Sequence, residues 1–389
     1  MSTTERIYAD YAATTPARPE VVEAMLPFFA ENGFNPSSVH AEGRRARAAL
    51  DTFRETIART LGARAKEIVI TGGGSEADNL ALFGVARAQA VRGKHILSTR
   101  IEHHAILHSL DMLAEDGWSI EYIDVDGDGL VDVQAFRAAL RDDTVLATIM
   151  LANNEIGTVQ PIAELAGIAR ERSVLFHTDA VQGPSYLDVD VKKLGVDLLS
   201  ISAHKFYGPK GVGALYVRDG TPISPLLVGG SQEFAKRAGT ENLAGIAGLA
   251  KALELAAAER PAAALRLAEL RDRFEQVVQD RLPDVRINGA GAARLPNVSN
   301  ISFAGLDADA LVLRLDLEGA AISSGSACAA GSLEPSHVIA ALGLEPRWLR
   351  GAVRFSFGRS TGLAQIERLA GLVYDIVTDL RRFSVPGTY

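Results

Sequence analysis

A lysine stands directly after an apolar run in the segment Ser202-Ala203-His204-Lys205-Phe206-Tyr207-Gly208-Pro209-Lys210-Gly211. Serine, histidine and a Gly/Pro-rich loop flank it, which is not the setting of an ordinary surface lysine. Partial desolvation and a neighbouring cation would lower its pKa and leave an amine able to act as a nucleophile. Lys210 lies in the same loop, so both lysines are candidates. The single cysteine, Cys328, is embedded in Ser323-Ser324-Gly325-Ser326-Ala327-Cys328-Ala329-Ala330-Gly331-Ser332. Residues this small cannot pack a core, so the segment reads as a mobile loop and its thiol as reactive rather than as inert packing. One cysteine permits neither an intrachain disulfide nor a multi-cysteine metal site, and fits a reducing, cytoplasmic setting.

Other polar groups follow apolar runs in the same way. Thr71-Gly72-Gly73-Gly74-Ser75-Glu76-Ala77 lies between a strand pattern and a helix pattern. Glycines let the backbone approach an anion, and a helix N-terminus offers unpaired N–H groups, so the segment is either a phosphate cradle or a tight strand–helix turn. Gly72, Gly74 and Ala77 also satisfy a dinucleotide-binding pattern, whereas a Walker motif is absent. Glu102-His103-His104 follows another strand. His104 and His108 are one helical turn apart, but no third metal ligand is near, and no metal is expected. Asn153-Asn154-Glu155 is either a turn or a polar contact to a ligand. In His177-Thr178-Asp179-Ala180-Val181-Gln182 the carboxylate could cap a helix or hold a proton on a heterocyclic nitrogen. Arg354, on a strand with Phe355 facing the other way, could grip a carboxylate through its fork or form a structural salt bridge. Asp124-Val125-Asp126-Gly127-Asp128-Gly129 opens like a calcium loop, but its twelfth position is Ala135, so it reads as a turn.

The elements that must position these groups alternate strand and helix. Strand patterns run over Lys66–Thr71, His95–Thr99, Ser119–Val125, Thr144–Leu151, Val174–Thr178, Leu198–Ser202 and Val212–Val217, with a helix over Ser75–Arg92. Continuous apolar strands alternating with helices predict an α/β fold whose mainly parallel sheet is covered on both faces. A long helix is expected over Leu253–Asp280, then short strands and helices, and a last helix over Leu363–Phe383. The expected organisation is a large α/β domain over residues 15–255, with residues 1–14 and 256–389 forming a smaller α+β domain that carries the Cys328 loop. Of the 389 residues 47% are hydrophobic and 23% charged, as in folded globular chains and unlike disordered or fibrous ones. The net charge of −8 and the lack of a basic run argue against direct nucleic-acid binding. No apolar run is long enough to cross a membrane, and the N-terminal residues do not read as a secretory signal.

In order along the chain, the Gly-rich turn, histidine, Asn-Asn-Glu, Asp-Ala-Val-Gln, Ser-x-His-Lys, Arg-Ala-Gly-Thr-Glu-Asn, Ser-Ser-Gly-Ser-Ala-Cys and Arg-Phe-Ser closely resemble the NifS/IscS-type cysteine desulfurases. The resemblance runs from Tyr8-Ala9-Asp10-Tyr11-Ala12-Ala13-Thr14-Thr15 to about Arg359 and includes Asn35-Pro36-Ser37-Ser38 and Ser332-Leu333-Glu334-Pro335-Ser336. It implies the aspartate-aminotransferase-like fold (type I) of pyridoxal-5′-phosphate enzymes. By that resemblance Lys205 carries the cofactor as a Schiff base, and His103 stacks on its ring and shuttles protons. Asp179 binds the ring nitrogen and Gln182 the phenolic oxygen. Gly74, Ser75, Ser202 and His204 hold the phosphate, and Thr240 reaches the phosphate of the neighbouring subunit of a homodimer. Asn35, Asn154 and Arg354 position L-cysteine, with Asn154 also at the cofactor and Arg354 on the substrate carboxylate. Cys328 takes the sulfur as a persulfide and passes it to an acceptor protein, an iron–sulfur scaffold or a thiolation enzyme. Ala329-Ala330-Gly331 and Gly72-Gly73-Gly74-Ser75 depart from common forms of the family by small-for-small changes. Selenocysteine lyase or aminotransferase activity would use much of the same machinery. A nicotinamide dehydrogenase would leave Lys205, Asp179 and Cys328 without roles.

Overall fold

The computed structural model describes residues 6–324 and 335–383. Twelve strands occur among them: β1 (Ile7–Tyr8), β2 (Ile68–Thr71), β3 (His95–Thr99), β4 (Ser119–Ile123), β5 (Thr144–Thr148), β6 (Leu175–Asp179), β7 (Leu198–Ser202), β8 (Gly213–Val217), β9 (Val285–Asn288), β10 (Val298–Phe303), β11 (Ala320–Ala321) and β12 (Ala352–Ser356). Seven form one sheet in the order β2-β8-β7-β6-β5-β3-β4. Only β8 runs against its neighbours; the pairs β3–β4, β3–β5, β5–β6 and β6–β7 are parallel. Apart from edge strand β4 and the first residue of β6, Leu175, the strands are buried along their whole length. A buried parallel sheet needs helices on both faces, and separate apolar cores lie on its two sides. One contains Phe136, Phe176 and Phe206, the other Phe83 and Trp118.

A second sheet, β12-β10-β9, is antiparallel, and β1 pairs in parallel with β11. Both belong to a further core built around Phe274, Phe303, Phe355 and Phe357. The helix Leu243–Arg281 reaches from the first region to this one. It starts ten residues before the periodic Ala/Leu/Glu/Arg stretch, because Asn242 accepts the Gly245 amide at 3.1 Å and so caps a small-residue segment that is buried all round. Two strands begin or end inside their apolar runs. Lys66 lies in a tight turn in which the Glu67 carboxylate accepts the Arg64 amide at 2.8 Å. Past Thr148 the chain stays extended, with Ile149 and Leu151 donating to the His177 and Asp179 carbonyls at 3.2 and 2.8 Å. The last helix occupies Leu363–Phe383.

A buried ion pair fixes the strand that enters the glycine turn. Glu233 accepts both terminal nitrogens of Arg54, at 2.6 and 2.7 Å, and the Ile70 amide of β2 at 2.9 Å. It holds in place a run of three left-handed residues, Glu233, Phe234 and Ala235, with φ of 48, 59 and 59°. Glu233→Gln removes the charge opposite a buried guanidinium and is expected to lower unfolding free energy by about 3 kcal/mol in urea denaturation. Unchanged stability would show that the pair does not hold this segment.

Candidate active site

The C-terminal ends of parallel strands are where open α/β sheets leave a crevice. Here β3, β5, β6 and β7, together with the turn after β2, end around a cavity of about 240 Å³. Gly74, Ser75, His103, Asn154, Asp179, Gln182, Ser202, His204, Lys205 and Arg354 all line it. Lys210 does not, which separates the two candidate lysines.

The glycine turn opens the helix Gly74–Gln89. Its N-cap, Gly73, has φ 152° and no side chain to cap the helix, so the first amide groups are left for another acceptor. A Cβ at Gly74 would come within 2.9 Å of Val181 and 3.3 Å of Ser202, which keeps the cradle bare. Ser75, Ser202 and His204 add polar groups at the same end.

Buried carboxyls border the cavity through Asp78 and Asp179, with Glu102 behind its lining. Asp179 accepts the Val181 amide at 2.9 Å, and burial pushes its carboxyl up to about 6 despite that bond and the nearby Lys205. Asp78 is pushed well above the usual carboxylate range, first by burial and then by Asp179. One of its oxygens has no hydrogen-bond partner. Glu102, fully buried, is raised by burial to about 8 although its Oε1 accepts from Thr99 at 2.7 Å and Met150 at 3.1 Å. Beneath them His177 is held neutral by burial, its nitrogens on Thr148 and Ser200 at 2.8 and 3.0 Å. Carboxyls this crowded need a cation or must keep protons.

Lys205 Nζ donates to the Ala12 and Ala13 carbonyls at 2.8 Å each, and Gln182 Nε2 also donates to Ala12, at 3.0 Å. His204 Nδ1 meets the Thr14 hydroxyl at 3.1 Å. His103 Nδ1 accepts the Ala105 amide at 3.1 Å and caps the helix His104–Glu115, so its neutral ring carries hydrogen on Nε2. Burial, then Lys205, lowers it to about 4, and the ring is uncharged at neutral pH. Arg354 is almost wholly buried; it donates to the Asn154 carbonyl and to Asp10, both at 2.8 Å. The salt-bridge reading of this arginine is thus realised, on a side chain that also faces the cavity. Of the Asn-Asn-Glu segment, Asn153 builds the turn by accepting from Glu155 and Ile156, Asn154 faces the cavity, and Glu155 accepts from Ser336 at 2.6 Å.

Asn35 and Thr240 do not line this cavity. Both are exposed, and Asn35 uses its side-chain oxygen to accept the Ser37 amide at 2.9 Å. Cys328 and its loop lie outside the described residues. His104 and His108 stack at 4.9 Å, yet no group of three or more His, Cys, Asp or Glu among the described residues is arranged to hold a metal. Asp126 closes the acidic turn by accepting the Asp128 and Leu130 amides, both at 2.9 Å. Sequence reasoning missed Asp78, Ala12 and Ala13 at the cavity. Asp78 falls one helical turn after Ser75 on the same face, a signal that could have found it. The alanines act through carbonyls, which have no side-chain signature.

An anion cradle, a buried acid and an amine that line one cavity fit pyridoxal phosphate, with its phosphate, basic ring nitrogen and aldehyde. The raised carboxyl of Asp179 in the cavity lining is what a cationic ring would compensate. Comparison with known proteins agrees. Residues 7–369 match the model of the class-V aminotransferase family. The chain is 51% identical over 378 residues to a protein named cysteine desulfurase IscS of Dictyoglomus turgidum, covering 97% of this chain and 96% of the relative. It resembles a solved NifS-like protein with TM-score 0.91 and 34% identity, over 96% and 100% of the two chains. It also resembles a structure described as SspA in complex with cysteine, with TM-score 0.81 and 38% identity over 90% and 98%.

Glu102 makes stability depend on pH. Its folded pKa, about 8, lies above its ordinary 4.5, so the folded state binds the proton more tightly and stability falls as pH rises through that window. Glu102→Gln lacks this penalty. Its melting temperature, relative to the parent, should gain several degrees between about pH 5 and pH 9. A difference that does not change with pH would mean that Glu102 is already ionised in the folded protein.

Proposed function

The chain belongs to the class-V aminotransferase family, and from that premise we propose how its residues perform the reaction of a cysteine desulfurase. It is a pyridoxal-phosphate-dependent enzyme that removes sulfur from L-cysteine and leaves L-alanine. The observation that carries this reading is that Lys205, the buried Asp179 and the uncapped helix start at Gly74 face one cavity. When bound, the cofactor supplies an electron sink for charge developing at the substrate carbons.

The chain's residues supply orientation and proton control. Gly74, Ser75, Ser202 and His204 hold the phosphate, and Lys205 anchors the aldehyde. Asp179 keeps the proton on the ring nitrogen, where a buried carboxylate gains its counter-charge. Gln182 would donate to the phenolic oxygen, and the neutral His103 would offer its face to the ring. With the substrate bound, Lys205 Nζ would take the proton from Cα and return one to the carbon skeleton. Arg354 and Asn154 orient the substrate, with Arg354 on the carboxylate. The Cys328 thiolate then attacks the substrate sulfur. A sulfur–sulfur bond forms as the Cβ–sulfur bond breaks, its electron pair stays with carbon, and protonation completes alanine. The persulfide on Cys328 passes to an acceptor protein, either an iron–sulfur scaffold or a thiolation enzyme.

The working form is a cytoplasmic homodimer in which Thr240 completes the neighbouring subunit's phosphate site. Exposure of Thr240 on a loop tied to the cofactor turn, through Arg237 to Glu76 at 2.8 Å, supports this. No helix among the described residues is long and apolar enough to cross a membrane.

Mass spectrometry of protein treated with L-cysteine should find one added sulfur on Cys328. Cys328→Ala should abolish sulfur release while the cofactor colour persists, and Lys205→Ala should lose the colour of the lysine-bound cofactor. Sulfur release surviving Cys328→Ala would refute the persulfide step, and borohydride labelling of Lys210 would refute the assignment of the lysine.

A further inference from the structure

The segment Tyr8–Thr15 bonds Lys205, His204 and Arg354 at the cavity, yet the reaction scheme gives it no part. We propose that Asp10 is a positioning residue for substrate recognition, which clamps the Arg354 guanidinium in the orientation that receives the substrate α-carboxylate. The inference rests on the reading of Arg354 as the carboxylate-binding residue.

A guanidinium has five N–H donors and meets a carboxylate best through two parallel bonds on one edge. Arg354 Nη1 is on the Asn154 carbonyl and Nη2 on Asp10 Oδ1, both at 2.8 Å. Its Nε is buried and without a hydrogen-bond partner. The guanidinium is therefore tethered through both terminal nitrogens, while Nε has no partner and the residue lines the cavity. An unpaired buried donor is unfavourable in a resting protein and favourable once an acceptor arrives.

Asp10 is itself held rigidly. Ala9 accepts the Ser356 amide at 2.8 Å and Tyr11 donates to the Ser356 carbonyl at 3.3 Å, which bracket Asp10 against the strand that bears Arg354. The Tyr8 hydroxyl lies 2.9 Å from both the Asp10 and Thr14 carbonyls and so braces the segment across its width. Two residues further on, the Ala12 and Ala13 carbonyls hold Lys205. One short segment thus sets the spacing between the group that meets the substrate carboxylate and the group that meets its amine.

The test uses holoenzyme carrying Asp10→Ala, Asp10→Asn, Arg354→Lys and the Asp10→Asn/Arg354→Lys pair, with L-cysteine as substrate. A second readout is the dissociation constant of L-alanine, from the change in the cofactor's visible absorbance. Misplacing a binding group by a fraction of its reach weakens recognition by about tenfold. Asp10→Ala should therefore raise KM and the L-alanine constant about tenfold while kcat changes by less than about threefold, and Asp10→Asn should do the same to a smaller extent. Asp10→Asn should add nothing in the Arg354→Lys background. Unchanged or tighter binding in both Asp10 variants overturns the proposal, and tighter binding would make Asp10 an internal competitor instead. A parallel fall in kcat and melting temperature with KM unchanged would mark a structural ion pair and also overturn it. If Arg354→Lys leaves KM and the L-alanine constant unaltered, the reading of Arg354 fails first. Should Asp10→Ala not fold, the near-isosteric Asp10→Asn carries the same test.

Discussion

A carboxylate closed into the end of a buried strand must either keep a proton or meet a cation, and Asp179 stands in that position. It ends β6 in the centre of a sheet buried on both faces, and its charge helps to raise the buried carboxyls of Asp78 and Glu102. Such crowding is unfavourable on its own. A protonated ring nitrogen would relieve it, and the same contact would keep that nitrogen protonated at neutral pH. The fold therefore stores at the bottom of the cavity an electrostatic demand that one class of cofactor satisfies.

The other charged groups are arranged around that demand. The N-terminal segment bonds Lys205 through two carbonyls and Arg354 through Asp10. Of the histidines lining the site, His103 and His204 are held neutral by burial and by Lys205. Acid, base and anion sites are thereby kept apart, although all three border one cavity.

Much of this was legible in the sequence because strand ends announce themselves. An apolar β-branched run that stops at a carboxylate, a lysine or a glycine turn places that group at the rim of the sheet, and Asp179, Ser202 and Gly74 all lie there. The sole antiparallel strand of the large sheet, β8, left no such mark, because strand direction depends on connections rather than on side chains. The contributions of Ala12 and Ala13 were invisible for a related reason, since their carbonyls are common to every residue. Asn35 and Thr240 show a third limit. Their motif marks them, but a single chain does not bring either to the cavity.

The most direct test of the account is the affinity of pyridoxal phosphate for the apo-protein and for its Asp179→Asn variant, measured by absorbance at neutral pH. Asparagine keeps the shape and the bond from Val181 and removes only the charge. The account predicts binding weaker by about tenfold or more in the variant, the loss of one charge-assisted contact. Equal affinity in the two proteins would contradict it, because the buried negative charge would then have no part in holding the cofactor.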